Sequence, residues 1–114
     1  MFMKPELREN LQEALRRGHE IQRFVAGLTL EDYSTDDKTR LAVERSFEII
    51  GEALNRSSKI APEPIDAIRN HRQIISFRNI LAHCYDTVED RIVWGIIERS
   101  LPELLEDLGT LLKD

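Results

Sequence analysis

The sequence predicts an all-α fold: a compact up-and-down bundle of four main helices, one domain over residues 1–114, with a kink or an extra short helix and with dimerisation through helices. Three observations carry that prediction. Apolar residues return every third or fourth position along most of the chain, the period of one helix face. Helix-breaking residues are few, five Gly and four Pro in 114. Hydrophobic residues make up 41% and charged residues 32%, enough apolar surface for a core and too much for a disordered segment.

The first helix is predicted from Leu7 to about Val25, where Leu7, Leu11, Ala14, Leu15, Gly18, Ile21 and Val25 form one stripe. Gly18 lies on that stripe although glycine costs about 1 kcal/mol in a helix, so its benefit is close approach of a neighbouring helix. Gly27 ends the segment, and Leu28 to Tyr33 reads as a connection. Ser34 or Thr35 is placed to cap the second helix, with Asp36 and Asp37 favourable at the positive end of its dipole. Ala42, Val43, Phe47, Ile49, Ile50, Ala53 and Leu54 keep helical spacing to Asn55, before Ser57-Ser58-Lys59 weakens the pattern. Gly51 again sets a small residue among large ones.

Ala61-Pro62-Glu63-Pro64 is a turn leading into a helix start, because a first turn tolerates proline. A third helix follows from Ile65 to about Ala82, with a polar stretch at Arg69-Asn70-His71-Arg72-Gln73 that a bend, a break or a solvent-facing run would explain equally. Thr87 with Asp90 resembles a reciprocal cap for the fourth helix. Its stripe is Val93, Ile97, Leu101, Leu104, Leu108 and Leu112, and Pro102 interrupts the backbone bonding, so a kink or a restart capped by Ser100 and Glu103 is expected. Phe47, Phe77 and Trp94 read as core or dimer contacts.

Composition narrows the function classes. The single Cys84 excludes an intramolecular disulfide framework and a multi-cysteine zinc site. The three histidines and scattered carboxylates make no recognised metal-ligand pattern, and no glycine-rich phosphate loop is present, so neither a metal nor a cofactor is expected. Apolar stretches are broken by charge, which predicts no membrane span, and the first residues hold no apolar run of signal-peptide length. These features together predict a soluble cytoplasmic protein. A formal net charge of -5 disfavours a broad nucleic-acid-coating surface and sequence-specific DNA binding. The basic residues are nevertheless mostly arginine, which suits a local phosphate site.

The segment Ser76-Phe77-Arg78-Asn79-Ile80-Leu81-Ala82-His83-Cys84-Tyr85-Asp86 is where chemistry concentrates. Arg78 supplies a permanent cation with several donors, and His83 can exchange protons near neutral pH. RNA cleavage needs both: the ribose 2'-hydroxyl must lose a proton, charge building on the phosphate must be stabilised, and the leaving oxygen must gain a proton. Four-residue spacing puts Asn79 and His83 on one helical face, where the amide can orient the ring or bind substrate. Five-residue spacing sets Arg78 and His83 about 140° apart. An arginine's reach, a helix ending before His83, or a second copy across a twofold axis could each bring them together.

Arg78-Asn79-Ile80-Leu81-Ala82-His83-Cys84-Tyr85 resembles the arginine, asparagine, short gap, histidine, any residue, tyrosine motif of the HEPN superfamily, and most closely its HepT-like branch, formerly DUF86. The likeness extends through Phe47-Glu48-Ile49-Ile50-Gly51-Glu52-Ala53-Leu54-Asn55 and through Ile92-Val93-Trp94 before the C-terminal leucines. The resemblance implies an all-helical homodimeric toxin of a type VII-like toxin–antitoxin pair that cleaves RNA without a metal. It assigns catalysis to Arg78 and His83, with Asn79 in support. It also implies a small MNT-type nucleotidyltransferase antitoxin as partner, which transfers adenylate from ATP to Tyr85. A bulky anionic adduct beside His83 would occupy the substrate site and repel phosphate.

A second function class is a non-catalytic helical module that docks with and regulates a nucleotidyltransferase, which the acidic balance motivates. Asn79 could also fix the helix end, Tyr85 could serve substrate positioning or packing, and Glu52, within an apolar block, could pair with an arginine or orient a site residue. His19 and His71 are not expected to act in catalysis, and Cys84 reads as structural.

Overall fold

The computed structural model describes residues 3–113, apart from the side chain of Tyr85. Helix α1 (Pro5–Val25) opens on a proline, which loses nothing where first-turn amides have no helical acceptor. It ends as the sequence predicts: Gly27 adopts φ +79°, and the Leu28 amide donates to the Val25 carbonyl at 2.9 Å. The predicted connection that follows holds a short helix instead, α2 (Leu30–Ser34). Its cap is reciprocal, with the Asp32 amide donating to Thr29 Oγ1 at 3.1 Å and the Thr29 amide to Asp32 Oδ2 at 3.0 Å. Five residues are too few for periodicity to show, so the polar capping pair was the legible signal.

Neither Ser34 nor Thr35 caps α3 (Asp37–Ile60). Asp36 does, accepting the Thr39 amide at 3.0 Å and the Thr39 hydroxyl at 2.6 Å, while Thr35 turns back to the carbonyls of α2. The helix runs past the weakened pattern because Ser57 bonds the Ala53 carbonyl at 2.8 Å from a fully buried position and so needs no other partner.

The predicted third helix is two. The short α4 (Pro62–Asp66) stops, and α5 (His71–His83) begins after Asn70, a non-glycine residue at φ 69°. The break is held from outside. The Arg69 amide and guanidinium both donate to Asp107, at 2.8 and 3.0 Å, and the Asn70 amide group donates to the Ser100 carbonyl at 3.1 Å and to Glu103 at 3.0 Å. The polar stretch is therefore a clasp onto the C-terminal helix. His71 belongs to the same joint: it is buried, and its Nδ1 donates to the Ile68 carbonyl at 2.7 Å.

Beyond a 3-10 turn (Tyr85–Thr87), α6 (Asp90–Gly95), a π-helical segment (Ile96–Ser100) and α7 (Leu101–Leu112) form one continuous run, 90–112. Thr87 does not cap it, since its hydroxyl donates to the Cys84 carbonyl at 2.8 Å and closes the 3-10 turn. Ser100 does not restart it either. That residue is itself helical and its hydroxyl donates to Gln73 at 2.7 Å. The π segment accommodates Pro102 in place of a restart, because a widened turn relieves the ring against the carbonyl four residues back. Counting this run once gives six helices among the described residues, against the four main ones expected.

Helix α3 lies between α1 and α5, and α7 closes against α1. The core is the set of faces the periodicity marks: Leu7, Leu11, Ala14 and Ile21; Val43, Phe47, Ile50 and Leu54; Ile74, Phe77 and Leu81; and Val93, Leu101, Leu104 and Leu108. Phe47 meets Phe77 edge-on at 5.3 Å, and Trp94 packs on the fully buried Tyr33 at 5.4 Å. Gly18 does what its place on the stripe implies, since a Cβ there would collide with the Leu105 side chain of α7.

Candidate active site

Helix α5 carries Arg78, Asn79 and His83, and two neighbours decide how they are presented. The first is Gly51 of α3. A Cβ built at Gly51 would overlap Cβ of Arg78 and lie 2.9 Å from its Cγ and 3.2 Å from the Ile74 carbonyl. The arginine stem thus crosses α3 at the one place on that face without a side chain, close by the Phe47–Phe77 contact that clamps the two helices. The second neighbour is Asn79, whose Oδ1 accepts a hydrogen bond from Arg78 Nη1 at 2.9 Å.

The result is a half-buried guanidinium with no carboxylate. Arg78 Nε is buried without a hydrogen-bond acceptor, and Arg78 makes no ion pair with the described residues. Its situation differs from that of Arg17, Arg40, Arg45, Arg69 and Arg91, each paired with acidic side chains. In a chain with more acids than bases, a cation held in this way, with no carboxylate among the described residues, can take an external anion.

His83 is the last residue of α5 and is exposed, with no hydrogen bond or ion pair to the described residues. Asn79 and Ile80 are exposed on the same helix. The helix does not stop before His83, so that route to bringing the pair together is closed. The five-residue spacing leaves Arg78 and His83 about 140° apart around the axis of one α5. Backbone of Tyr85 falls in the 3-10 turn two residues further on, whereas the side chain of Tyr85 lies outside the described residues.

Glu52 is partly exposed rather than enclosed by its apolar block, and it lies 3.8 Å from Arg45 instead of reaching Arg78. His19 is exposed beside Gln22, and Cys84 is exposed. Among the described residues no three His, Cys, Asp or Glu side chains gather in a way that could hold a metal ion. No described helix is long and apolar enough to cross a membrane. What reading the sequence missed was the link between Gly51 and Arg78. A glycine inside a helical apolar block signals a close approach, but only the fold shows which side chain approaches.

The family model for ribonuclease HepT-like proteins matches residues 12–111. The chain belongs to the ribonuclease HepT-like family. Relatives of this HepT-like chain include a Methanocaldococcus jannaschii protein provisionally named as an RNase, 30% identical and covering 97% of this chain and 91% of its own. Another is named as a probable ribonuclease HepT from Thermococcus cleftensis, also 30% identical, covering 90% of this chain and 92% of its own. A third, from Caldanaerobacter subterraneus subsp. tengcongensis and provisionally named as an RNase, is 34% identical over 78% of this chain and 79% of its own. No solved structure gives a significant match. The match spans α3 and α5, the two helices that carry Gly51 and Arg78.

Proposed function

We propose that this chain is a metal-independent endoribonuclease whose active site forms between two copies, with Arg78 binding the scissile phosphate and His83 moving protons. The observation that carries the reading is the seat of Arg78: half buried over Gly51, steadied by Asn79 and left without an anion, on the helix that ends in an exposed His83. Family membership supports RNA as the substrate class. Because one α5 turns its arginine and histidine about 140° apart, a twofold axis beside α5 supplies the missing convergence, placing Arg78 of each copy toward His83 of the other.

One imidazole accepts the ribose 2'-hydroxyl proton, and the 2'-oxygen attacks phosphorus. The phosphorus–5'-oxygen bond breaks, and the departing 5'-oxygen takes a proton from the second, protonated imidazole. The product is a 2',3'-cyclic phosphate. Arg78 stabilises charge on the non-bridging oxygens as it builds. In the cell the protein acts as the toxin of a pair, silenced when an MNT-type nucleotidyltransferase adenylylates Tyr85 and so places negative charge next to His83.

Cleavage of a mixed panel of labelled RNAs in excess chelator tests the reading. The expected outcome is cutting by the purified chain, cyclic phosphate or its opened form at the new end, and loss of activity in His83→Ala. A folded protein that cuts no member of the panel would refute it. The net charge of -5 favours one second reading, a non-catalytic module that docks with a nucleotidyltransferase. In that case Arg78→Ala and His83→Ala would leave toxicity unchanged.

A further inference from the structure

From the groove between α5 and the run 90–100, we infer a binding subsite for the single-stranded RNA backbone flanking the scissile phosphate, an inference that rests on the proposed ribonuclease reading. The two walls touch through Gln73 and Ser100, at 2.7 Å. Between them lies an open groove of about 340 Å³ with Ile92, Gly95 and Ile96 along its apolar side and Gln73, Arg91 and Arg99 as its polar groups.

Three features point to an anionic polymer with an apolar side. Arg99 is exposed and has no ion pair or hydrogen bond among the described residues. Arg91 meets Glu89, two residues earlier, in a water-exposed contact at 3.2 Å, a kind of pair that a phosphate can displace at little cost. Gln73 receives the Ser100 hydroxyl on Oε1, which leaves its NH₂ as a donor for the groove. Ile92 is 46% exposed beside them, and Gly95 has nothing within 4 Å of a built Cβ, so riboses and bases can lie on the apolar side while phosphates meet the arginines.

The groove is also tied to the proposed site through the chain, since Gln73 is on the helix that carries Arg78 and His83. From the Gln73–Ser100 contact, α5 rises about 15 Å to His83 and the opposite run about 14 Å to Arg91. The six-residue connection 84–89 joins the His83 end of α5 to the Arg91 end of the run. Arg91 is thus the groove arginine nearer His83 along the chain, and Arg99 is next to Ser100, which meets Gln73. The wall between the two arginines is built by the end of α6 and the start of the π-helical segment.

The test uses the full chain carrying His83→Ala, so that RNA is bound and not consumed, and follows a fluorescein-labelled 12-nucleotide single strand by anisotropy. Reversing both arginines (Arg91→Glu with Arg99→Glu) is expected to weaken binding at least tenfold. The slope of log Kd against log salt should fall by about 1.4. Gly95→Leu fills the groove with a better helix former and should weaken binding with all charges intact. A charge-matched control, Arg16→Glu with Arg23→Glu on α1, should change binding less than threefold.

In the chain with His83 restored, the groove variants should cut the 12-mer more slowly than the parent, and the α1 control should cut it at the parental rate. Undiminished 12-mer binding in both groove variants would overturn the subsite, as would a loss equalled by the α1 control. A parent that cuts no RNA, while the His83→Ala chain binds the 12-mer through this groove, would refute catalysis and leave the subsite standing.

Discussion

Gly51 and Arg78 share one small volume, and that sharing turns an ordinary surface cation into a positioned one. Gly51→Ala adds a methyl group where the Arg78 stem already lies. Overpacking of this kind costs about 1–3 kcal/mol, offset by about 1 kcal/mol of helix propensity. The expected outcome is a modest fall in thermal stability with a larger fall in RNA cleavage, read by calorimetry and a cleavage assay on the same sample. His83→Ala is the opposite case. The ring is exposed and has no partner among the described residues, so stability should stay within about 0.5 kcal/mol of the parent. Loss of a proton-transferring group should lower cleavage by about 100-fold or more.

Glu44 supplies a third test at this scale. Burial holds its carboxyl above the usual range, against the pull of Arg40 and with further upward pushes from Asp90 and Glu48. A carboxyl whose folded pKa is raised binds its proton more tightly when folded. Its destabilising effect is therefore absent at low pH, appears as pH rises through the unfolded pKa and is complete above the folded one. Glu44→Gln should raise the unfolding free energy at pH 7, with the gain vanishing at pH 3. Equal gains at both pH values would contradict that cause.

Among the elements, the long helices were legible and the joints were not. Stripes such as Leu7, Leu11, Ala14 and Ile21 or Leu101, Leu104 and Leu108 repeat often enough to announce a buried face. Caps are decided by one or two hydrogen bonds among competing residues. Asp36 wins over Ser34 and Thr35 because it alone of the three reaches both the amide and the hydroxyl of Thr39. The π segment was invisible as well, since Ile96 to Ser100 keeps apolar residues and a serine facing inward in either register. The break before α5 is one of three readings that the polar stretch leaves open, and the partner that decides it lies 38 residues away.

That joint makes its own prediction. The Arg69 side chain holds the Asp107 carboxyl below its ordinary range, so the contact stabilises the fold above the unfolded pKa and is lost as pH falls through the folded one. Asp107→Asn should lower the melting temperature at pH 7 and leave it unchanged near pH 2. Hydrogen exchange should quicken first around Arg69 to Gln73. In the core of α7, Leu104→Ala should cost about 2–5 kcal/mol, because the side chain is fully buried between helices, and chemical denaturation reads that loss directly.

At the scale of the whole molecule, the shortest dimension is 19 Å, two helices deep, so α5 has α3 behind it and an exposed face in front. The candidate residues Arg78, Asn79, His83 and Tyr85 stand out because the motif is contiguous in sequence. Helical geometry alone sets Arg78 and His83 about 140° apart on one α5. What a single chain cannot display is the second set of side chains, which is why the account rests on assembly. The direct measurement mixes the parent with His83→Ala at rising ratios, with native mass spectrometry to verify that mixed dimers form. The account predicts that a mixed dimer, holding one imidazole where two are needed, is inactive, so that RNA cleavage falls with the square of the parental share. Cleavage that falls only in proportion to the parental share, with mixed dimers half as active as the parent, would contradict it.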